Sequence, residues 1–465
     1  YIRSNVTMFN KTTTKKPLIL LVALVLCATL LFAACNPANA FVPVEIPAEA
    51  QVEGNGGIAV KYGDWIYYVN GYESSATANN AYTTDVRTGA IVRIKVADLE
   101  DVIKINDQDL SSSKKSEAIK KAVAEKAQMV VPNFYYTGNT TSTSLNGIYI
   151  FNNRLYITTP NTELDANGNI LNNQLVLTSY NLGGGDVVRH YVFETNTPQL
   201  KLSQVGNDVY ATFILDGKLS SLKVGESEAT VIAEEITSPT FNGDYVYFLD
   251  KDGSICQFKA GTTESKVVVE NTSSEETNTE ITYTIRSVNG EYVYYTVSDG
   301  SQTSGLKLYY ATAESSGNIV LDTLPSGSYY GWQDKVVYTA SVPEEPVTMY
   351  GIWTASADGS DKTEVLDASQ NSSTITLNKL EGNILYYTTN SVSYTLDLSD
   401  PDAQPVAYAY SLSSTATGWS VPDVLGEYVF SLGTGTVSVV KFNPVTKRNS
   451  ASTAVTFTVV EEDNK

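Results

Sequence analysis

The sequence predicts an all-β protein: a β-propeller of eight four-stranded blades, with seven as the fallback count, carrying one inserted helix. Three observations predict it. First, a short turn runs into a strand eight times along the 465 residues, each time placing an aromatic four residues past the first turn residue. The copies are Gly63-Asp64-Trp65-Ile66-Tyr67, Asn152-Asn153-Arg154-Leu155-Tyr156, Gly206-Asn207-Asp208-Val209-Tyr210 and Gly243-Asp244-Tyr245-Val246-Tyr247, followed by Gly290-Glu291-Tyr292-Val293-Tyr294, Asp334-Lys335-Val336-Val337-Tyr338, Gly382-Asn383-Ile384-Leu385-Tyr386 and Gly426-Glu427-Tyr428-Val429-Phe430. Second, the copies recur at a period of about 40 residues, as propeller blades do. Third, the composition favours strands: 31 Tyr among many Val, Ile and Thr, with only 3 Met.

The fourth repeat shows the unit most plainly. Ile236 to Phe241 reads as a first strand, Asn242-Gly243 as a turn and Tyr245 to Leu249 as a second strand. Asp252-Gly253 is a hairpin signal, because both residues tolerate positive φ. Ile255 to Phe258 and Lys266 to Val269 complete four antiparallel strands. Repeat five repeats the order through Tyr283 to Val288, Tyr292 to Val297, Leu306 to Tyr310 and Asn318 to Leu321, and repeat seven through Thr374 to Leu380, Ile384 to Thr389, Ser393 to Leu398 and Pro405 to Tyr410. The propeller is expected over 55–465, with the last repeat, Val421 to Val460, returning to the first near Gly57 to Gly71.

Only the interval between the first two aromatics is double the others. After an expected strand Val102-Ile103-Lys104-Ile105, it holds a helical pattern over 111–128, with Ile119, Ala122, Val123 and Ala127 on one face. A docking lid and a helix packed on the rim are both open readings. A second excursion, Asn161 to Asn173, interrupts repeat two.

Residues 1–34 read as a signal peptide whose true start is Met8: Lys11, Lys15 and Lys16 precede the uncharged apolar run Leu18 to Ala34. The run ends Leu31-Phe32-Ala33-Ala34-Cys35 and resembles the bacterial lipobox, which implies lipid on Cys35. Residues 35–54, with Pro37, Pro43 and Pro47, read as the lipidated N-terminus and a flexible leader. Ala38-Asn39-Ala40 offers an ordinary signal-peptidase site, hence secretion after cleavage at Ala40 as the alternative. Of three cysteines, Cys27 and Cys35 belong to this segment, which leaves Cys256 without a partner for an internal disulfide.

The net charge of −20 makes nucleic acid an unsuitable partner and favours a solvated, monomeric surface. Ile66-Tyr67-Tyr68-Val69-Asn70 and Val246-Tyr247-Phe248-Leu249-Asp250 resemble the Tyr-Trp-Thr-Asp blades of low-density-lipoprotein-receptor-type propellers, and more closely the bacterial exported proteins whose domain of unknown function is named for that likeness. The resemblance covers about 55–460 and implies a propeller on an exported lipoprotein. Receptor ligand chemistry is not implied, since those propellers have six blades and Trp is missing here from the second aromatic slot.

No catalytic set assembles in the sequence. The single histidine, His190, falls on the fourth strand of repeat two, at the rim, where a Ser-His-Asp triad has no cleft. One His and one Cys do not make a zinc site. Asp250-Lys251-Asp252-Gly253 and Asp165-Ala166-Asn167-Gly168-Asn169 resemble the start of a calcium loop but lack the Glu at the twelfth position, and read as turns. Gly183-Gly184-Gly185 is a loop between strands with no helix after it to cradle phosphate. No metal or cofactor is therefore expected.

Lys61, Arg286, Lys379, Glu381 and Asp423 lie on or beside inner first strands and are the candidate ligand-binding residues at the channel mouth. Trp65, Trp332, Tyr329 and Tyr330 could stack on sugars or pack between blades. The leading reading is a non-enzymatic binding scaffold, tethered by lipid to the bacterial envelope and engaging a surface protein or glycan. Two alternatives stay open: an envelope-assembly or sensor lipoprotein, and a carbohydrate-active propeller enzyme using paired carboxylates.

Overall fold

Every two-residue turn between a first and a second strand needs a residue with positive φ, and the sequence supplies one each time. Gly63, Gly206, Gly243, Gly290, Gly382 and Gly426 take φ of 55–63°. At Gly206, Gly243, Gly290 and Gly382 no neighbour crowds the missing Cβ, so backbone conformation and not space selects glycine there. Asn152 and Asn153 do the same work in the second repeat.

The structure is a computed structural model, and it describes residues 50–458 apart from 72–89, 132–146, 162, 164–165, 168–173, 196–198, 274–279, 300–307, 315–317, 322–328, 345–346, 357–360, 410–422 and 434. The signal-peptide and lipobox readings lie outside these residues. The strands form eight antiparallel sheets, six of them four-strand meanders in chain order and the first and last five-stranded, and the whole is an eight-bladed propeller. Blade 1 spans Ala59–Val131, with Val52–Glu53 added along its inner edge, so the sheet reaches back into the residues that read as leader. Blades 2 to 7 follow as Tyr149–Phe193, Gln199–Ala233, Thr237–Val269, Thr282–Leu321, Tyr329–Leu366 and Thr376–Tyr408; blade 8 runs Asp423–Ala454.

In blades 1 to 6 the register shifts by one residue between the third and fourth strands, as at Ile91/Val92, Leu177/Thr178 and Ile255/Cys256. A bulge at that place sharpens the right-handed twist and fans the outer strand away from its neighbours.

The recurring aromatic is the link between blades. In blades 1, 4 and 5 it is the third residue of the second strand and its hydroxyl crosses to a carbonyl of the next blade: Tyr67 to Leu182 O at 3.1 Å, Tyr247 to Gly290 O at 3.2 Å, and Tyr294 to Gln333 O. Tyr294 lies so close over the next blade that any Cβ at Gly331 would enter its ring.

Two expectations are corrected. Val102 to Ile105 is not a strand: a helix spans Val96–Lys104 and runs into a 3-10 turn, Ile105–Asp107. Leu99, Val102 and Ile103 fall at helical spacing and are all buried, and this stripe outweighs the β-branched residues that argued for a strand. The insertion therefore contains two helices, the second being Ser112–Lys126, stapled by Lys126 to Asp98 (2.8 Å) and Asp101 (3.1 Å) on the first. In blade 6 the turn is Gln333-Asp334, one residue earlier than read, with Gln333 at φ 52°. Val337 then occupies the crossing position, fully buried, and Tyr338 points to the opposite face.

Among the described residues blade 8 takes none of its strands from the N-terminal part of the chain, and side chains close the ring. Asn70 donates to Phe457 O (2.9 Å) and accepts from Phe457 N (2.7 Å), Tyr68 donates to Val455 O (2.9 Å), and the Tyr68 and Phe430 rings lie 5.7 Å apart. The helices cover the same seam. Glu100 accepts from Tyr428 Oη and Lys441 Nζ, and Asn106 donates to Thr453 Oγ1 at 2.6 Å. Ile119, Val123 and Leu99 share one core with Val437, Val439 and Val455 of blade 8.

Asn70 is 2% exposed, and Asn70→Ala strands two buried backbone groups of Phe457, each costing about 1–3 kcal/mol. We expect Asn70→Ala to lower the urea midpoint of the whole body in a single transition. An unchanged midpoint with only a frayed C-terminus would contradict closure at this seam.

Candidate functional site

Of the five channel-mouth candidates, Lys379 and Glu381 meet each other, and Lys61 and Arg286 bond to other partners. Lys61 is held by Glu53 of the inner-edge strand at 2.5 Å. Arg286 stays inside blade 5, donating from Nε to Thr296 Oγ1 at 3.1 Å. Lys379 pairs with Glu381 of its own strand at 3.1 Å and lies 4.3 Å from the Tyr386 ring centroid. Asp423 opens blade 8, its backbone paired with Phe430.

The inner lysine that the sequence reading passed over is Lys201, between buried Leu200 and Leu202 on the first strand of blade 3. Burial lowers its pKa, against the opposing charges of Asp244 and Glu381, which come from blades 4 and 7. Strand alternation alone puts Lys201 on the face opposite those two leucines, which is the signal that could have found it.

A concave surface lies further out, where the first and third turns of blades 4 and 5 emerge. There a groove of about 1100 Å³ runs between the two blades and reaches Gln333-Asp334 of blade 6. Tyr245, Tyr292 and Tyr310 line it, the last two with ring centroids 6.1 Å apart. Four carboxylates, Glu264, Glu291, Glu314 and Asp334, face two lysines, Lys259 and Lys266. Burial and the charges of Glu291 and Asp334 raise the pKa of the Tyr292 hydroxyl. Sugars and cations both bind such mixtures of aromatic faces and carboxylates.

His190 is half-buried and stacked on Tyr156 at 5.9 Å. Its Nε2 lies 2.8 Å from Ser179 Oγ, to which Arg154 donates from both Nε and Nη2 at 3.1 Å. The two guanidinium bonds occupy the oxygen's lone pairs, so the hydroxyl donates to a neutral imidazole. Burial, then the charge of Arg154, lowers the His190 pKa. Cys256 is buried, with Sγ 3.6 Å from Asp250 Oδ2; burial and that carboxylate push its pKa up to about 12. The same carboxylate accepts from the N–H groups of Asp252 (3.0 Å) and Ser254 (2.8 Å), which is turn chemistry. The Asp165 loop lies partly outside the described residues. Gly183-Gly184-Gly185 folds as a loop in which Asn181 Oδ1 accepts from the N–H groups of Gly183 and Gly185 at 2.9 Å each. Among the described residues no group of three His, Cys, Asp or Glu side chains could hold a metal, and no helix is long and apolar enough to cross a membrane.

No family model matches the chain, and neither does any curated protein. Among solved structures, the computationally designed Ika8 protein is similar over 68% of this chain and 88% of its own, at 14% identity and a TM-score of 0.35. The polysaccharide lyase Uly1 is similar over 69% and 90%, at 10% identity and 0.32. A puromycin-hydrolysing peptidase of Mycobacterium tuberculosis is similar over 54% and 45%, at 14% and 0.28. At this similarity none of the three bears on what the chain does.

Two outcomes follow from these geometries. A histidine whose folded pKa lies below its unfolded value near 6.5 adds stability above that value and loses it as pH falls through the folded pKa. The His190 ring should titrate by NMR with a midpoint under 6.5, and stability should decline on acidification across that window. A midpoint at or above 6.5 contradicts the arrangement with Arg154. The Cys256 thiol should resist a disulfide reagent at pH 8 until denaturant is added; immediate stoichiometric reaction of the folded protein contradicts its burial.

Proposed function

We propose that this chain is the exported, lipid-tethered body of a bacterial envelope protein that binds its ligand without transforming it, and that the groove between blades 4 and 5 is its binding site. The observation that carries this is the groove itself: about 1100 Å³, and lined by tyrosine rings beside carboxylates. It has the size and chemistry of a site for a polar ligand. The two side chains best suited to act as base or nucleophile support a non-enzymatic role. His190 spends its ring nitrogen on Ser179, and the Cys256 thiol is held protonated.

Tethering rests on Leu31-Phe32-Ala33-Ala34-Cys35, with lipid on Cys35 and the propeller outside the membrane. The likeness to the receptor-type bacterial proteins fits the same location. The partner is then a surface protein or a glycan, and the body acts as a monomer.

Incubating the fragment from Phe41 onward with arrayed envelope polysaccharides and cationic peptides should give retention without cleavage, lost at least tenfold on Tyr292→Ala. Release of shortened products would overturn the non-enzymatic reading. Cys35→Ala should remove the full-length protein from the membrane fraction or leave its signal peptide uncut; labelled fatty acid persisting on that variant would overturn the tether.

A further inference from the structure

Four blades share one motif at the same place: a glycine, an acid and an aromatic that starts the second strand. They are Gly63-Asp64-Trp65, Gly243-Asp244-Tyr245, Gly290-Glu291-Tyr292 and Gly426-Glu427-Tyr428. In three of them the residue directly opposite the aromatic, on the third strand, is a lysine: Trp65 faces Lys95, Tyr245 faces Lys259 and Tyr428 faces Lys441. Each lysine lies over its aromatic ring, with Nζ 5.4, 5.2 and 5.7 Å from the centroid. In blade 8 Lys441 also reaches Glu427 of the motif at 3.5 Å. The ring of the motif is thus a seat for an alkylammonium group in three blades, and in blade 8 the motif's carboxylate joins it.

Blade 5 keeps the seat and lacks the lysine. Its ladder pairs Val293 with Ala311, so the residue opposite Tyr292 is Thr312. This is the blade whose motif opens into the groove, where Asp334 and Glu314 join Glu291. Among the described residues, no lysine or arginine forms an ion pair with any of these three carboxylates. The neighbouring Lys259 already covers Tyr245.

Building on the groove as the binding site, we propose that its ligand is a basic segment of a partner protein, whose lysine side chain takes the seat beside Tyr292 and Glu291. The side chain that fills the sister seats is itself a lysine on an extended strand, and this favours a peptide over other amines. A groove of about 1100 Å³ leaves room for residues flanking that lysine. The same geometry explains how an acidic body would select one basic segment: its carboxylates attract it, and the ring beside an empty lysine position fixes where it docks.

The probe is a hexalysine peptide, with hexaglutamate and a chitosan hexamer as comparisons, measured by calorimetry on the fragment from Phe41 onward. We expect hexalysine to bind, to weaken with added salt, and to lose at least tenfold in affinity on Thr312→Lys, which installs the missing lysine. Glu291→Gln should weaken it in the same direction. Thr230→Lys, an equal charge change at an exposed site on the outer strand of blade 3, should leave affinity within twofold. An unchanged thermal midpoint in Thr312→Lys shows that the loss is not unfolding. Equal hexalysine affinity in Thr312→Lys and the unmutated fragment overturns the proposal. So does chitosan binding without hexalysine binding, although sensitivity of that binding to Tyr292→Ala would leave the groove as the site. Ligand binding indifferent to Tyr292→Ala would sink the groove assignment itself.

Discussion

A ring of sheets is only as stable as its last joint, and among the described residues the joint between blades 8 and 1 has no shared strand to lock it. Each blade-to-blade contact buries apolar side chains from two sheets, but a ring that opens loses that burial progressively from the gap inward. Asn70 and Tyr68 meet this by tying the second strand of blade 1 to the backbone at Val455 and Phe457. The two inserted helices add a second layer over the same gap, with Glu100 bonded to Tyr428 and Lys441. Lys441 and Tyr428 lower the Glu100 pKa, so this contact belongs to the ionised carboxylate. The insertion is closure hardware for the ring, and its interior face is spent on the core.

Three of the other joints use a lighter device. At the far side of blades 1, 4 and 5 a tyrosine at the third position of the second strand sends its hydroxyl to a carbonyl of the following blade, a hydrogen bond worth about 1 kcal/mol net, while its ring fills the space between sheets. At the seam the position holds Phe430, which has no hydroxyl and packs on Tyr68 instead. The repeated aromatic therefore marks where one blade meets the next, which is why it recurs with so little variation in spacing.

That recurrence made the architecture legible. Turn glycines with positive φ and a fixed offset to a tyrosine are local features, and local features are written in the sequence. The misreadings came where two local signals competed. Val102, Ile103 and Ile105 have strand chemistry, but with Leu99 they also have helical spacing, and the buried stripe decided. At Asp334 the missing glycine shifted the apparent turn, since Gln333 takes the positive φ. The groove was harder to see because it belongs to no single repeat: its walls come from blades 4, 5 and 6. Even so, its most telling residue was in view. Thr312 follows Ala311 at the position that Lys95, Lys259 and Lys441 hold opposite the aromatic in their own blades, and aligning third strands as well as second ones would have exposed it. The channel-mouth set was chosen by position along the chain, and the structure shows Lys61 and Lys379 already engaged by Glu53 and Glu381.

The seam also sets an order of events. Tyr68 and Asn70 meet their partners across 387 residues of chain, so the contact forms only after nearly the whole polypeptide exists. Until then, the apolar faces of blade 1 and of both helices wait uncovered. The entropy of bringing such distant residues together grows only with the logarithm of the separation, so distance itself costs little more than in a mid-sized domain. What distance does impose is time spent incomplete. Blade 1 is therefore the first to be made and the last to be finished. The exposed edge of a half-built ring is the species that a folding helper or a protease would meet.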